Sequence, residues 1–321
     1  SYFQVADNLT NVMKKIFISC FSYICVAISL FAQDVHNVAV VPGAEMVEQY
    51  IEDLEGRTVG LVVNHASLVD GDHLVDFLTD RGVDIKQIFA PEHGFRGEED
   101  AGAKVKDGKD VQTGLPIASL YGKNRKPTPA QLEGIDIMVF DLQDVGVRFY
   151  TYISTLHLVM EACAQSGISL VVLDRPNPNG YYIDGPIREE ELKSFVGMHP
   201  IPVVYGMTIG ELAQMINGEK WLEDGMRCNL QVIKCVHYDH NMTYELPVKP
   251  SPNLPNLRSV LLYPSLCFFE GTTVSIGRGT SNQFQVIGHP DAQYGSYTFT
   301  PQSMPGATHP KHGGIRLYGT S

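Results

Sequence analysis

The sequence is short of positive charge. Across 321 residues, 24 lysines and arginines stand against 36 aspartates and glutamates, a formal net charge of -12. A general nucleic-acid binder needs a basic face to neutralise phosphates, so that class is set aside. A few arginines can still override the mean field locally, so an anionic small substrate is not excluded. The six cysteines show no CxxC spacing, which argues against a zinc ribbon. No G-x-S-x-G elbow follows a strand, and there is no P-loop or complete G-x-G-x-x-G, so nucleophile-elbow and nucleotide chemistry are disfavoured. Gly277-Arg278-Gly279 is only a glycine-rich turn. The apolar run from Ile16 to Phe31 is shorter than the roughly 20 residues a membrane span requires.

That run has another use. Met13-Lys14-Lys15 precedes it, giving the basic and apolar regions of a secretory signal over 13–32. Cleavage after Ala32 leaves Gln33 as the new end, and Ser1 to Val12 read as a non-native upstream segment. Bulky Ile24 argues against a lipidated Cys25. The expected location is therefore periplasmic or extracellular, with no stable membrane insertion once the signal is removed. Cys163 reads as core, whereas Cys228 and Cys235 suit either a disulfide or two buried thiols.

At 44% hydrophobic and 19% charged, the chain can bury a sizeable core, and neither a disordered nor a repeat composition fits. Val59–Val63, Ile85–Ala90, Ile137–Phe140 and Ile168–Leu173 are apolar throughout, as parallel strands covered on both faces are. Ala44–Leu54, Leu68–Arg81 and Thr155–Ser166 read as helices, and Thr208-Ile-Gly-Glu211 is a capping box opening a helix to Asn217. This alternation predicts an α/β fold with a doubly wound, mostly parallel sheet over 33–240. Prolines at 247, 250, 252 and 255, then short strand-like pieces and glycine turns, mark a smaller α+β domain over 241–321. No closing element is evident in HGGIRLYGTS, which reads as a shortened end.

Each strand runs into a polar cluster: Asn64-His65, Pro91-Glu92-His93 through Arg96, Asp141 through Tyr150, and Asp174 through Pro178. Ligands bind at the carboxyl ends of the strands in open α/β sheets, so these clusters predict a site on one rim. A single Asp after a strand is ordinarily a turn former or helix cap, and Arg–Asp pairs are often structural. Four such clusters on one rim are harder to explain that way. Glu92, between Pro91 and His93 and close to Phe89 and Phe95, is the leading acid or base. A carboxyl partly screened from water suits protonation of a leaving oxygen in glycoside hydrolysis. Two alternatives stay open on these residues. One is metal-assisted hydrolysis by Glu92, His93, Asp141 and Asp144, which no HExxH spacing supports. The other is a sugar-binding protein without catalysis.

Four longer motifs go further. APEHGFRG (90–97), FDLQDVGVRFYTY (140–152), LDRPNPNG (173–180) and FEGTTVSIGRGT (269–280) resemble the exo-β-N-acetylmuramidases of the NamZ type, over about Val38 to Pro290. The resemblance implies a Rossmann-like domain, a smaller C-terminal domain and an active site in the cleft between them. It implies release of N-acetylmuramic acid from the non-reducing ends of peptidoglycan fragments, in cell-wall recycling, with no metal or nucleotide. The glutamate of the family's PEHG motif falls on Glu92. Asn64 and His93 are then expected to orient that carboxyl or bind hydroxyls. Asp141, Gln143, Asp144, Tyr150, Asp174 and Asn177 are expected to bind the sugar or to position Arg148 and Arg175. The lactyl carboxylate needs a cation, for which Arg96, Arg148 and Arg278 are candidates. Glu270 is a second carboxylate for the cleft, unless it pairs with Arg278. The likeness fades after about Lys311, and family members extend further, which implies that part of the second domain is missing.

Overall fold

The computed structural model describes residues 39–95 and 107–321. The expectations for the leader over 13–32 and for Arg96 lie outside the described residues.

The apolar runs become strands because each has both faces covered. The strands are β1 (Thr58–Val63), β2 (Leu68–Val69), β3 (Asp72–His73), β4 (Asp84–Ala90), β5 (Gly108–Lys109), β6 (Pro116–Ser119), β7 (Ile137–Asp141), β8 (Ser169–Leu173) and β9 (Leu230–Ile233). Seven form one sheet in the order β5-β6-β4-β1-β7-β8-β9, and only the β5–β6 pairing is antiparallel. The six parallel strands, numbered among themselves, follow 3-2-1-4-5-6. That is the Rossmann order, and it puts the switch point between β1 and β7. Pairing aligns Ala118, Phe89, Val62, Phe140, Val172 and Val232 in a row across the sheet. The loops at the carboxyl ends of these strands therefore emerge along one edge.

Alternate strand residues serve two cores. Val59, Leu61, Val63, Ile137 and Val139 pack with α1 (Ile51–Leu54) and α2 (Leu74–Asp80). Val62, Met138, Phe140, Leu170 and Val172 pack with α3 (Pro129–Leu132), α4 (Tyr152–Ser166) and α5 (Ile209–Gly218). Each buried aliphatic or aromatic side chain contributes on the order of 1.5–3 kcal/mol, so the two faces dominate the folding free energy.

Several details differ from the sequence expectations. The helix expected from Leu68 begins at Leu74, because Asp70 and Gly71, with φ of 50° and 90°, make a two-residue turn that pairs β2 with β3. Ala44–Leu54 is mostly 3-10 turns, with only Ile51–Leu54 α-helical. β6 and β9, short and partly exposed, carry no strong apolar run. The capping box at Thr208 is present, with Glu211 N donating to its hydroxyl at 3.1 Å. Cys163 is buried core, and Cys228 and Cys235 are free thiols rather than a disulfide.

The smaller C-terminal domain contains α6 (Leu257–Leu266) and an antiparallel sheet of β10 (Ile287–His289), β11 (Tyr297–Phe299) and β12 (Leu317–Thr320), ordered β10-β12-β11. HGGIRLYGTS thus supplies the central strand, although its polar start hides the apolar Leu317. Pro264 lies inside α6. Having no N–H, it cannot donate to Val260 O four residues earlier. That carbonyl instead accepts from Asn179 Nδ2 at 3.2 Å, and the same amide donates to Val145 O at 2.9 Å.

Asn179→Ala leaves both buried carbonyls without this donor. Unfolding free energy should fall by about 1–3 kcal/mol, measured by urea titration. In a Pro264→Ala background the loss should be smaller, since the restored N–H reaches Val260 O. Equal losses in both backgrounds would refute the link.

Candidate active site

The edge of the sheet places Glu92 directly after β4. Gly94 N donates to Pro91 O at 3.0 Å, and His93 and Gly94 both take left-handed φ, 69° and 77°. This tight turn holds Glu92 half-buried over the edge. The start of α4 meets it. Thr151 Oγ1 donates to Glu92 Oε2 at 2.6 Å, and the Tyr152 hydroxyl donates to the Glu92 backbone carbonyl at 3.4 Å. The Tyr121 hydroxyl, beyond β6, also bonds the Glu92 carboxylate. Burial and that negative charge push the phenol up to about 12, so it stays a donor.

Glu92 opens into a cleft of about 390 Å³. His93, Tyr121, Phe149, Tyr150, Thr151 and Tyr152 line it from the sheet side. Ser251, Asn253 and Leu254 line it from the connecting segment, and Tyr263, Cys267, Glu270, Arg278 and Phe284 from the C-terminal domain. The aromatic rings brace one another: Tyr150 meets Tyr152 edge-on at 4.8 Å and Tyr263 meets Phe284 at 4.9 Å. Tyr150 is anchored by its hydroxyl on Pro250 O at 2.8 Å. An apolar aromatic lining with a few convergent polar groups is the usual form of a small-molecule site. At the C-terminal wall, Arg278 Nη2 donates to Glu270 Oε1 at 2.7 Å.

The structure thus brings Glu92, His93, Tyr150, Glu270 and Arg278 together. The other described candidates lie beneath or beside the cleft and do not line it. Asp141 and Arg175 form a two-bond ion pair of 2.5 and 2.7 Å, with side-chain exposures of 0% and 5%. Arg175 Nη2 also donates to Leu68 O at 3.0 Å. Asn64 donates to the Tyr152 hydroxyl at 2.8 Å and accepts from Ala66 N at 3.0 Å, so it positions Tyr152. Gln143 bonds Asp144 O and Pro176 O, both at 2.8 Å. Asp144 accepts from Gly146 N and the Tyr205 hydroxyl, and burial pushes its carboxyl up to about 7. Asp174 accepts from Thr208 Oγ1 and Gly210 N, tying β8 to the start of α5, and burial raises it to about 6. Asn177 bonds Met207 O at 2.8 Å and accepts from Asn179 N. Arg148, an expected anion ligand, instead donates Nη1 to the carbonyls of Pro186 and Ile201. These groups are consumed because buried polar atoms at strand ends must find partners.

Sequence reasoning missed Tyr121, Thr151, Tyr152 and Asn253. Thr151 and Tyr152 carried a signal, since α4 begins at Tyr152 rather than Thr155 and its first turn faces the PEHG loop. Tyr121 follows the weak strand β6 and had none.

Fold and cleft together define a two-part α/β protein with an aromatic cleft at the carboxyl edge of a doubly wound sheet. The chain belongs to the NamZ exo-beta-N-acetylmuramidase family, whose N-terminal model matches residues 59–258 and C-terminal model 261–320. The match runs past Lys311, where the likeness was expected to fade, and includes β12. The peptidoglycan beta-N-acetylmuramidase NamZ of Bacillus subtilis (strain 168) is 45% identical over 252 residues, 76% of this chain and 60% of that protein. The chain thus spans three fifths of that relative's length. Two crystal structures of DUF1343 family proteins from Bacteroides fragilis NCTC 9343 are similar. One has a TM-score of 0.82 at 45% identity, covering 88% of this chain and 76% of that one. The other has a TM-score of 0.77 at 34% identity, covering 89% and 77%.

Arg175→Met strands the Asp141 charge in the interior and should lower unfolding free energy by about 3–5 kcal/mol. Pairing it with Asp141→Leu should recover much of the loss. Denaturant midpoints of the three variants check both statements.

Proposed function

We propose that the protein is an exo-acting glycosidase that releases N-acetylmuramic acid from the non-reducing ends of peptidoglycan fragments, with Glu92 as general acid and base. The observation that carries this reading is the Glu92 carboxyl, which faces an aromatic cleft while Thr151 and Tyr121 hold it in place. The activity named for the Bacillus subtilis relative supports the same reading. In the forward step the Glu92 carboxyl gives its proton to the glycosidic oxygen as the bond to the anomeric carbon breaks, and positive charge spreads over the ring oxygen and that carbon. The Glu92 carboxylate then takes a proton from the incoming water. His93 and Tyr150 line the same cleft and are placed to bind the sugar, while Glu270, which pairs with Arg278, is taken up in holding that guanidinium. The aromatic rings shield the developing charge from bulk water.

Glu92→Gln keeps size and much of the hydrogen bonding but removes the dissociable proton. Turnover of a natural disaccharide should fall by about 100- to 10,000-fold, with a smaller loss on a phenolate leaving group that departs with little protonation. Near-normal turnover of the disaccharide would place the acid elsewhere. Failure of the unaltered protein to cleave any β-N-acetylmuramide would leave a sugar-binding protein instead.

We also propose export, with cell-wall recycling as the setting. Its support is the basic and apolar segment over 13–32. In bacterial cells the mature protein should begin near Gln33 and collect outside the cytoplasm. N-terminal sequencing that finds the segment intact on cytoplasmic material would refute this.

A further inference from the structure

The cleft has one feature that hydrolysis itself does not use. Among the described residues lining it, Arg278 carries the one permanently positive side chain, in a protein of net charge -12. The backbone on either side of it is locked. Gly277 and Gly279 have φ of 83° and 82°. A Cβ on Gly277 would sit 2.5 Å from Asn282 O, and one on Gly279 would sit 2.6 Å from Gln302 O. Both positions therefore require glycine, for the left-handed conformation and for the close approach. Phe284 N donates to Ile276 O at 2.8 Å and Gln302 N to Gly279 O at 2.7 Å, closing the turn from both ends.

The guanidinium that this turn presents lies 5.0 Å from the Phe284 ring centroid. Nη2 is held by Glu270 at 2.7 Å, and the side chain is 23% exposed. Among the described residues, no protein group accepts a hydrogen bond from Nε or Nη1. A guanidinium fixed by a carboxylate on one nitrogen, backed by a ring and largely shielded from water is prepared for a planar anion. The other described arginines of the polar loops are spent elsewhere: Arg148 on two carbonyls and Arg175 on Asp141.

We propose that Arg278 reads the lactyl carboxylate of the muramic acid unit, the group that separates a muramide from a glucosaminide. The proposal rests on the glycosidase reading above for the identity of the sugar. Glu270 then acts as a positioning residue: it fixes the guanidinium plane and leaves the remaining donors for the substrate.

The test uses binding rather than turnover. The affinity of the full chain for N-acetylmuramic acid is compared with that for its methyl ester, which keeps the sugar and masks the charge. The unaltered protein should prefer the acid by at least about tenfold, as expected for a charge-assisted pair. In Arg278→Gln the preference should collapse to within about twofold. In Arg278→Lys, which keeps the charge but loses the planar fork, it should fall by at least about threefold. An undiminished preference in either variant overturns the proposal, as does a lack of preference in the unaltered protein. Should Arg278→Gln fail to fold, Arg278→Lys decides alone. A preference for the acid without any hydrolysis would defeat the glycosidase reading while leaving Arg278 as the carboxylate reader. Hydrolysis without the preference would do the reverse.

Discussion

The architecture depends on how charge is neutralised at the end of β7. Asp141 closes the strand beside the switch point and is fully buried. A carboxylate there, without a counter-charge, would cost several kcal/mol. Arg175, two residues past β8, meets it with two parallel bonds and extends to Leu68 O in the hairpin. One guanidinium thereby joins the ends of β7 and β8 to the loop that follows β1. The crevice between β1 and β7 is filled by protein, and the open space lies further along the edge, where β4 and β6 end.

That displacement explains the position of Glu92. With the switch point closed, the start of α4 can lean over the β4 loop, so that Thr151 and Tyr152 reach Glu92 while Asn64, at the end of β1, steadies Tyr152 from below. The carboxyl is thus positioned by three elements that do not follow one another in sequence. Asp144 and Asp174 do similar work further out, holding Tyr205 and the first turn of α5, and burial moves both toward neutrality. The polar rim is mostly a framework, with one carboxyl exposed through it.

This bears on what the sequence disclosed. The strands were legible where they are apolar on both faces, as in β1, β4, β7 and β8, and illegible where they are short and half-exposed, as in β6, β9 and β12. The rim was legible as a place, because polar runs after buried strands have few other uses. Its division of labour was not. An aspartate that binds a sugar and one that caps a helix have the same identity and the same strand-end context. Only burial and partners separate Glu92, which faces the cleft, from Asp141, paired with Arg175, and Asp174, taken up by Thr208 and Gly210. Arg148 shows the same limit for cations: its carbonyl partners, Pro186 and Ile201, lie 38 and 53 residues away. Thr151 was within reach of the sequence, since a helix begun one turn earlier points its first residues at the PEHG loop.

The proline inside α6 has a consequence for the cleft as a machine part. Apolar contact between two domains is non-directional and tolerates sliding. A helix with all its carbonyls engaged would rest on its neighbour without a preferred register. By withholding one N–H, Pro264 leaves a single acceptor that only Asn179 answers, and Asn179 belongs to the loop after β8. The seam between the domains is therefore keyed here by a directional bond, as it is where the Tyr150 hydroxyl meets Pro250 O, rather than merely glued. Since α6 also carries Tyr263, and leads through a short turn to Glu270, the Asn179 bond bears on where the C-terminal wall of the cleft stands.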